Sequence, residues 1–206
     1  SQIYQPNRDE LTMVFRTFNG TKRLLISTRA NSPRINLCTS IPENPPTPTM
    51  LCMLLRKRLS NAKLVSVTQP TLDRTLFMDF VSVNELGDKV NLRLVVEIMG
   101  KHSNIILVDL ATNKIIDSIK RVSIDVNRVR QILPGLEYQY PPAQDKIPFD
   151  ELTEEALSNL PSLDGKTLQR SVGGIAPSFA EEMALHQDIC GYVDSVLDSL
   201  RSGTSV

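Results

Sequence analysis

Two short strings hold the residues best suited to chemistry. Glu97-Ile98-Met99-Gly100-Lys101-His102-Ser103-Asn104 puts a carboxylate, a cation, an imidazole, a hydroxyl and an amide into eight residues. A tight turn between strands uses a glycine and accommodates an asparagine, but it does not ask for the rest. Exposed backbone at Gly100, with Lys101 beside it, could cradle a phosphate. The same residues also read as an ordinary turn with Ile98 and Met99 as core, and the string leaves both readings open. The second string is Gln69-Pro70-Thr71-Leu72-Asp73-Arg74, with its adjacent acid and base at the mouth of a strand. Its acid and base could close on each other as a local ion pair. They could equally point outward, Arg74 onto a phosphate and Asp73 accepting from a base or a ribose.

Other chemistries are poorly served. His102 lies in a turn and His186 on a helix with no partner at ligand spacing, so no metal site is expected. No G-x-S-x-G, P-loop or dinucleotide fingerprint occurs. Cys38, Cys52 and Cys190 are too few and scattered for a disulfide framework or a zinc site, and such usage fits a reducing compartment. Cys52, on an apolar helix face, reads as a core thiol. Tryptophan is absent and aromatics make up 5%, which argues against an aromatic stacking site. The residues point to a binding module rather than an enzyme, with no cofactor.

The elements that must position these strings follow from pattern. Leu11, Met13 and Phe15 alternate with Thr12, Val14 and Arg16, and Asn19-Gly20 is a hairpin signal before the returning strand Leu24-Leu25-Ile26. Arg34–Leu37 is a third short strand. Four prolines between Pro42 and Pro48 stiffen a loop ahead of a helix starting near Thr47 or Thr49, with Met50, Met53, Leu54, Leu55 and Leu59 as its apolar face. Arg56-Lys57-Arg58 falls in its last turns, where cations suit the helix dipole; a phosphate contact is the other reading. Five strands follow, over 64–68, 75–83, 90–99, 104–110 and 114–122, joined by turns too short for crossover helices. Residues 131–148 read as irregular, and beyond Pro148 the pattern turns helical. The expected fold is α+β. An antiparallel, sandwich-like β-rich domain with one main helix occupies 1–148, and a small all-helical domain occupies 149–206.

Charge supports that division. The net charge is zero, but residues 1–150 hold 20 of 23 Lys+Arg against 14 of 23 Asp+Glu. Residues 151–206 hold only 3 basic groups against 9 acidic ones. The first part could meet an anionic partner, although a mildly basic region is also ordinary solvated surface. No apolar run approaches the ~20 residues of a membrane span.

The strings also recur in a familiar order. Cys52–Leu59, Leu72-Asp73-Arg74, Glu97–Leu107, Asp117–Val122 and Arg130-Gln131-Ile132-Leu133-Pro134-Gly135 follow one another as in the NFACT family, which this chain resembles over roughly residues 3–190. Ile3-Tyr4-Gln5-Pro6-Asn7 fits too, although the family has a further stretch before it. Gly173-Gly174-Ile175-Ala176-Pro177 resembles the hairpin of the helix-hairpin-helix domain that follows in this family.

The resemblance implies a cytoplasmic factor that binds the large ribosomal subunit carrying stalled peptidyl-tRNA. Such a factor recruits tRNA, alanyl-tRNA in bacteria, for untemplated tailing of the nascent chain, while the ribosome makes the peptide bond. It implies tRNA binding through Asp73 and Arg74 and through Glu97, Ile98 and Met99, with Gly100, Lys101, His102, Ser103 and Asn104 as further motif members. Arg74 and Lys101 would contact phosphate, Asp73 and Glu97 a hydroxyl or an exocyclic amine. The alternative, implied by an older name for bacterial members, is a fibronectin-binding adhesin at the cell surface.

Overall fold

The computed structural model describes residues 2–70, 73–142 and 145–203, so Thr71 and Leu72 of the second string lie outside it. The chain divides into two units, Ser1–Pro141 and Pro142–Val206.

In the first unit, β1 (Gln2–Asn7), β2 (Glu10–Thr17), β3 (Gly20–Ser27) and β4 (Arg34–Cys38) form an antiparallel meander. Phe18-Asn19 is the tip of the β2–β3 hairpin, and Gly20 supplies the left-handed φ of +100° that the turn requires. Strand β1 was not expected, because Pro6 weakens a strand pattern. Its place at the sheet edge, with the register shifting between Tyr4 and Asn7, is where proline is tolerated. Helix α1 (Met50–Leu59) starts at Thr49, whose hydroxyl accepts from the Cys52 N–H at 3.1 Å.

The second sheet is β5 (Lys63–Thr68), β6 (Thr75–Val83), β7 (Lys89–Glu97), β8 (Asn104–Asp109) and β9 (Lys114–Ser118), antiparallel in chain order. All five were legible from alternation and turn signals. Both faces of this sheet are covered, which explains the near-continuous apolar run in β7. One face, with Met78, Phe80, Leu92, Leu94, Ile105 and Leu107, shares a core with Ile3, Leu11, Met13 and Ile26 of the first sheet and with Leu55 and Leu59 of α1. Phe15 stacks on Phe80 across that core, ring centroids 6.4 Å apart. The other face, with Val95, Ile106, Val108 and Ile115, lies under the irregular segment after β9 through Ile132, Val122 and Tyr138.

In the second unit, α2 (Glu154–Ser158), α3 (Gly165–Ser171), α4 (Pro177–Met183) and α5 (Ile189–Ser202) bury Leu157, Leu168, Ala180, Met183, Val193 and Leu197. Asp164 caps α3 by accepting from the Thr167 N–H at 2.9 Å; the Ser162 hydroxyl and then that backbone bond hold its carboxyl down at about 2. Gly165 permits the close approach of α3 to α4, since a Cβ there would sit 2.9 Å from Glu181 Cγ. The unit is not wholly helical. β10 (Ile147–Pro148) pairs in parallel with β11 (Val172–Gly173), and the division of the chain falls ahead of the composition break at Pro148.

Phe80 is fully buried, whereas Phe18 projects wholly into solvent. Chemical denaturation is expected to show a loss of ~3–5 kcal/mol for Phe80→Ala and a change within about 0.5 kcal/mol for Phe18→Ala. Equal effects of the two would contradict the shared core.

Candidate nucleic-acid interface

The two strings meet at one end of the five-stranded sheet. Thr75, opening β6, pairs with Glu97, closing β7, and Glu97 pairs in turn with Asn104, opening β8. One step further out, the Ile98 N–H donates to the Arg74 carbonyl at 2.8 Å. Asp73-Arg74 therefore lies directly beside the segment that leads into Gly100-Lys101-His102.

That segment is a built turn. Gly100 takes a left-handed φ of +57° and opens a short 3-10 turn through His102. The buried Ser103 hydroxyl accepts from the Met99 N–H at 2.8 Å and donates to the Gly100 carbonyl at 2.7 Å. Buried Asn104 ties the turn to the irregular segment after β9, donating to the Lys120 carbonyl at 2.8 Å and accepting from the Lys120 N–H at 3.1 Å. Ile98 packs against the main core. Ser103 and Asn104 thus shape the turn, and the exposed side chains it presents are Lys101 and His102.

Arg74 is exposed, and among the described residues neither its side chain nor that of Lys101 has an ion-pair or hydrogen-bond partner. Of the two arrangements open to Asp73-Arg74, the side-chain ion pair is not formed among the described residues. Asp73 instead accepts from the Arg74 backbone N–H at 2.7 Å through Oδ1 and from the Tyr140 hydroxyl at 3.3 Å through Oδ2.

Glu97, expected to hold a hydroxyl or an amine of a ligand, meets groups of the protein itself. It is only 1% exposed, and its carboxylate takes both terminal nitrogens of Arg130, at 2.6 and 2.9 Å, and the Tyr138 hydroxyl at 3.0 Å. Burial alone would lower the Arg130 guanidinium, but the hydrogen bonds and charge of Glu97 raise it above its ordinary value. Burial and then the Glu97 charge push the Tyr138 phenol well above its usual 10.0.

Arg130, Tyr138 and Tyr140 were not singled out as site residues. The available signal was Glu97 itself, which shares a strand face with buried Val95. A carboxylate there needs a partner, although the sequence does not say which cation supplies it.

Two members of the basic triplet of α1 are committed elsewhere. Arg56 Nε donates to the Ile3 carbonyl at 2.7 Å and its guanidinium lies 5.4 Å from the Tyr4 ring centre. Lys57 pairs with Glu85 at 2.8 Å on the surface. Near the turn, Arg121 grips Asp117 with two bonds of 3.1 Å. No group of three or more His, Cys, Asp or Glu among the described residues could hold a metal ion, and no described helix is long and apolar enough to cross a membrane.

Residues 1–192 match the family described as NFACT N-terminal and middle domains. The chain belongs to the NFACT family. It is 38% identical over 191 residues to the Rqc2 homolog RqcH of Bacillus subtilis, and 28% identical over 192 residues to the archaeal Rqc2 homolog of Methanocaldococcus jannaschii. These alignments take in 91% and 90% of this chain but only 33% and 27% of those proteins, so the chain spans about a third of the length of such relatives. Among solved structures, it resembles the N-terminal part of the fibronectin/fibrinogen-binding protein of Streptococcus suis, with a TM-score of 0.85 and 34% identity over 94% of this chain and 76% of that one. It also resembles the N-terminal domain of the fibronectin-binding protein PavA of Streptococcus pneumoniae, with a TM-score of 0.82 and 33% identity over 98% of this chain and 74% of that one.

The Glu97–Arg130–Tyr138 cluster makes two stability predictions for this NFACT domain. Glu97→Gln leaves Arg130 buried without its counter-charge and should cost ~3–5 kcal/mol in denaturant titrations. The titration of Tyr138 affects stability only at alkaline pH. Below pH 10.0 the folded and unfolded chains both keep its proton, and above it the unfolded chain ionises first, so stability falls as pH rises. Tyr138→Phe should cost about 1–2 kcal/mol at neutral pH through the lost hydrogen bond to Glu97, and should flatten the decline above pH 10. An unaltered alkaline slope would refute that assignment.

Proposed function

We propose that this chain is the tRNA- and ribosome-binding part of a ribosome quality-control factor. In this reading it acts on large subunits that carry stalled peptidyl-tRNA. It recruits tRNA there, alanyl-tRNA in a bacterium, for untemplated tailing of the nascent chain, and works in the cytoplasm. The ribosome makes the peptide bond, so the domain contributes binding and placement rather than a catalytic group. The names of the curated relatives support the ribosomal part of this reading.

The observation that carries the RNA part is the pair Arg74 and Lys101. Both cations are exposed, neither is engaged by another described side chain, and both lie beside neighbouring strand ends at one end of a braced sheet. Cations that are already paired have less charge to offer a phosphate, whereas unpaired ones can neutralise it directly and release its counterions. His102, exposed beside Lys101, adds a donor. The mouth of a strand suits such groups because the sheet fixes their backbone.

A second reading, a surface adhesin for fibronectin, is supported by the names of the solved relatives. Binding measurements separate the two. Arg74→Ala and Lys101→Ala should each weaken binding of bulk tRNA, and each should reduce the slope of log K against log salt by about 0.7–0.9. Circular dichroism should be unchanged, since both side chains are exposed. An unchanged tRNA affinity and slope in the double variant would sink the RNA reading. Saturable fibronectin binding indifferent to the same substitutions would favour the adhesin.

A further inference from the structure

The two strings are joined by a closed ring of hydrogen bonds that runs through Tyr140. Starting from buried Glu97, the first link is the two-pronged bond to Arg130, at 2.6 and 2.9 Å. Arg130 Nε then donates to the Gln139 carbonyl at 2.8 Å. The next residue, Tyr140, donates its hydroxyl to Asp73 Oδ2 at 3.3 Å, and Asp73 Oδ1 accepts from the Arg74 N–H at 2.7 Å. The Arg74 carbonyl closes the ring by accepting from the Ile98 N–H at 2.8 Å, one residue from Glu97. The Tyr140 ring is itself held, standing edge-on to Phe77 with centroids 6.2 Å apart and planes at 88°.

We propose that Tyr140 is a positioning residue for Arg74: it anchors the Asp73 carboxylate, which fixes the backbone from which Arg74 reaches an RNA phosphate. This inference rests on the RNA-binding reading above. Within it, the acid of the Asp-Arg pair has no need to touch RNA. One oxygen of Asp73 is spent on the backbone of its neighbour and the other on Tyr140. Arg74 has a long, exposed side chain, and each degree of freedom already fixed at its base is one that binding does not have to freeze. The same ring gives buried Glu97 a route to the surface, through Arg130 and the Gln139–Tyr140 peptide, without contact between Glu97 and a ligand.

The test is a double-mutant cycle on the whole chain, with bulk deacylated tRNA as probe and Tyr140→Phe and Arg74→Ala as the two changes. Tyr140→Phe keeps the ring against Phe77 and removes only the hydroxyl of a residue 38% exposed, so its melting midpoint should match that of the unmodified chain. Affinities are compared at a temperature where circular dichroism shows all four chains folded. We expect Arg74→Ala to weaken binding about tenfold and Tyr140→Phe about threefold. The double variant should bind no more weakly than Arg74→Ala alone, because a residue that acts through Arg74 has nothing to act on once Arg74 is gone. A merely structural role would not produce that coupling. Multiplying losses, or no loss with Tyr140→Phe while Arg74→Ala still weakens binding, would overturn the inference and leave the RNA reading standing. An Arg74→Ala chain that binds as well as the unmodified one would overturn the RNA reading and the inference together.

Discussion

Glu97 sits at the end of an apolar strand, almost completely removed from water, and a lone carboxylate in that place would be untenable. Its neutralisation by Arg130 is the interaction on which the rest of this end of the sheet depends. Arg130 comes from a segment with almost no regular secondary structure, and that segment is pinned by what it covers. Val122 and Ile132 pair across it, and Ile132 and Tyr138 close the apolar face formed by Val95, Ile106 and Val108. The ion pair and the apolar cover hold each other in place: the cover excludes water from the pair, and the pair fixes the register of the cover. Breaking a pair of this kind is costly because it strands a charge, although the intact pair contributes little net stability over an apolar substitute. Its retention is better understood as a geometric constraint.

That constraint separates two kinds of residue within strings that look uniform in sequence. Ser103 and Asn104 are buried and satisfied, and they fix the shape of the turn. Glu97 is buried and satisfied, and Ile98 packs on the core. Arg74, Lys101 and His102 are what remains exposed. The chemical groups of the two strings therefore reduce to a small charged surface on a scaffold made by the others. A substitution in the scaffold can disable the surface without touching any ligand.

Much of the fold was legible in the sequence. The five strands of the second sheet announce themselves by alternation and by turns too short for a crossover, and Thr49 by its place before an apolar helical face. The first strand was hidden by Pro6, because a local rule against proline in strands cannot know that the strand will lie at an edge. The two-residue strand at Ile147–Pro148 was hidden because its partner lies far along the chain, at Val172–Gly173. The site was legible as a location and not as a set of roles. Composition marks 97–104 as richer than a turn requires, but whether a carboxylate faces a ligand or an arginine is set by non-local pairing. Glu97 and Arg130 stand 33 residues apart, and Asp73 and Tyr140 stand 67 apart. Local pattern carries no information about separations of that size.

The two cations at the meeting of the strings also bound what that site by itself could contribute to RNA binding. Two phosphates neutralised by Arg74 and Lys101 correspond to a salt slope of about −1.4 to −1.8, or roughly a tenfold change in affinity between 50 and 200 mM salt. That is small beside the thousandfold or greater changes of proteins that make six or more phosphate contacts. Many of the other basic side chains in the first unit are already committed, Arg56 to a carbonyl and Arg93, Arg121 and Arg130 to carboxylates. On the proposed reading, this site then supplies placement more than bulk affinity. A rigid turn presenting few charges suits that role, since correct placement depends on how precisely those charges are held rather than on how many there are.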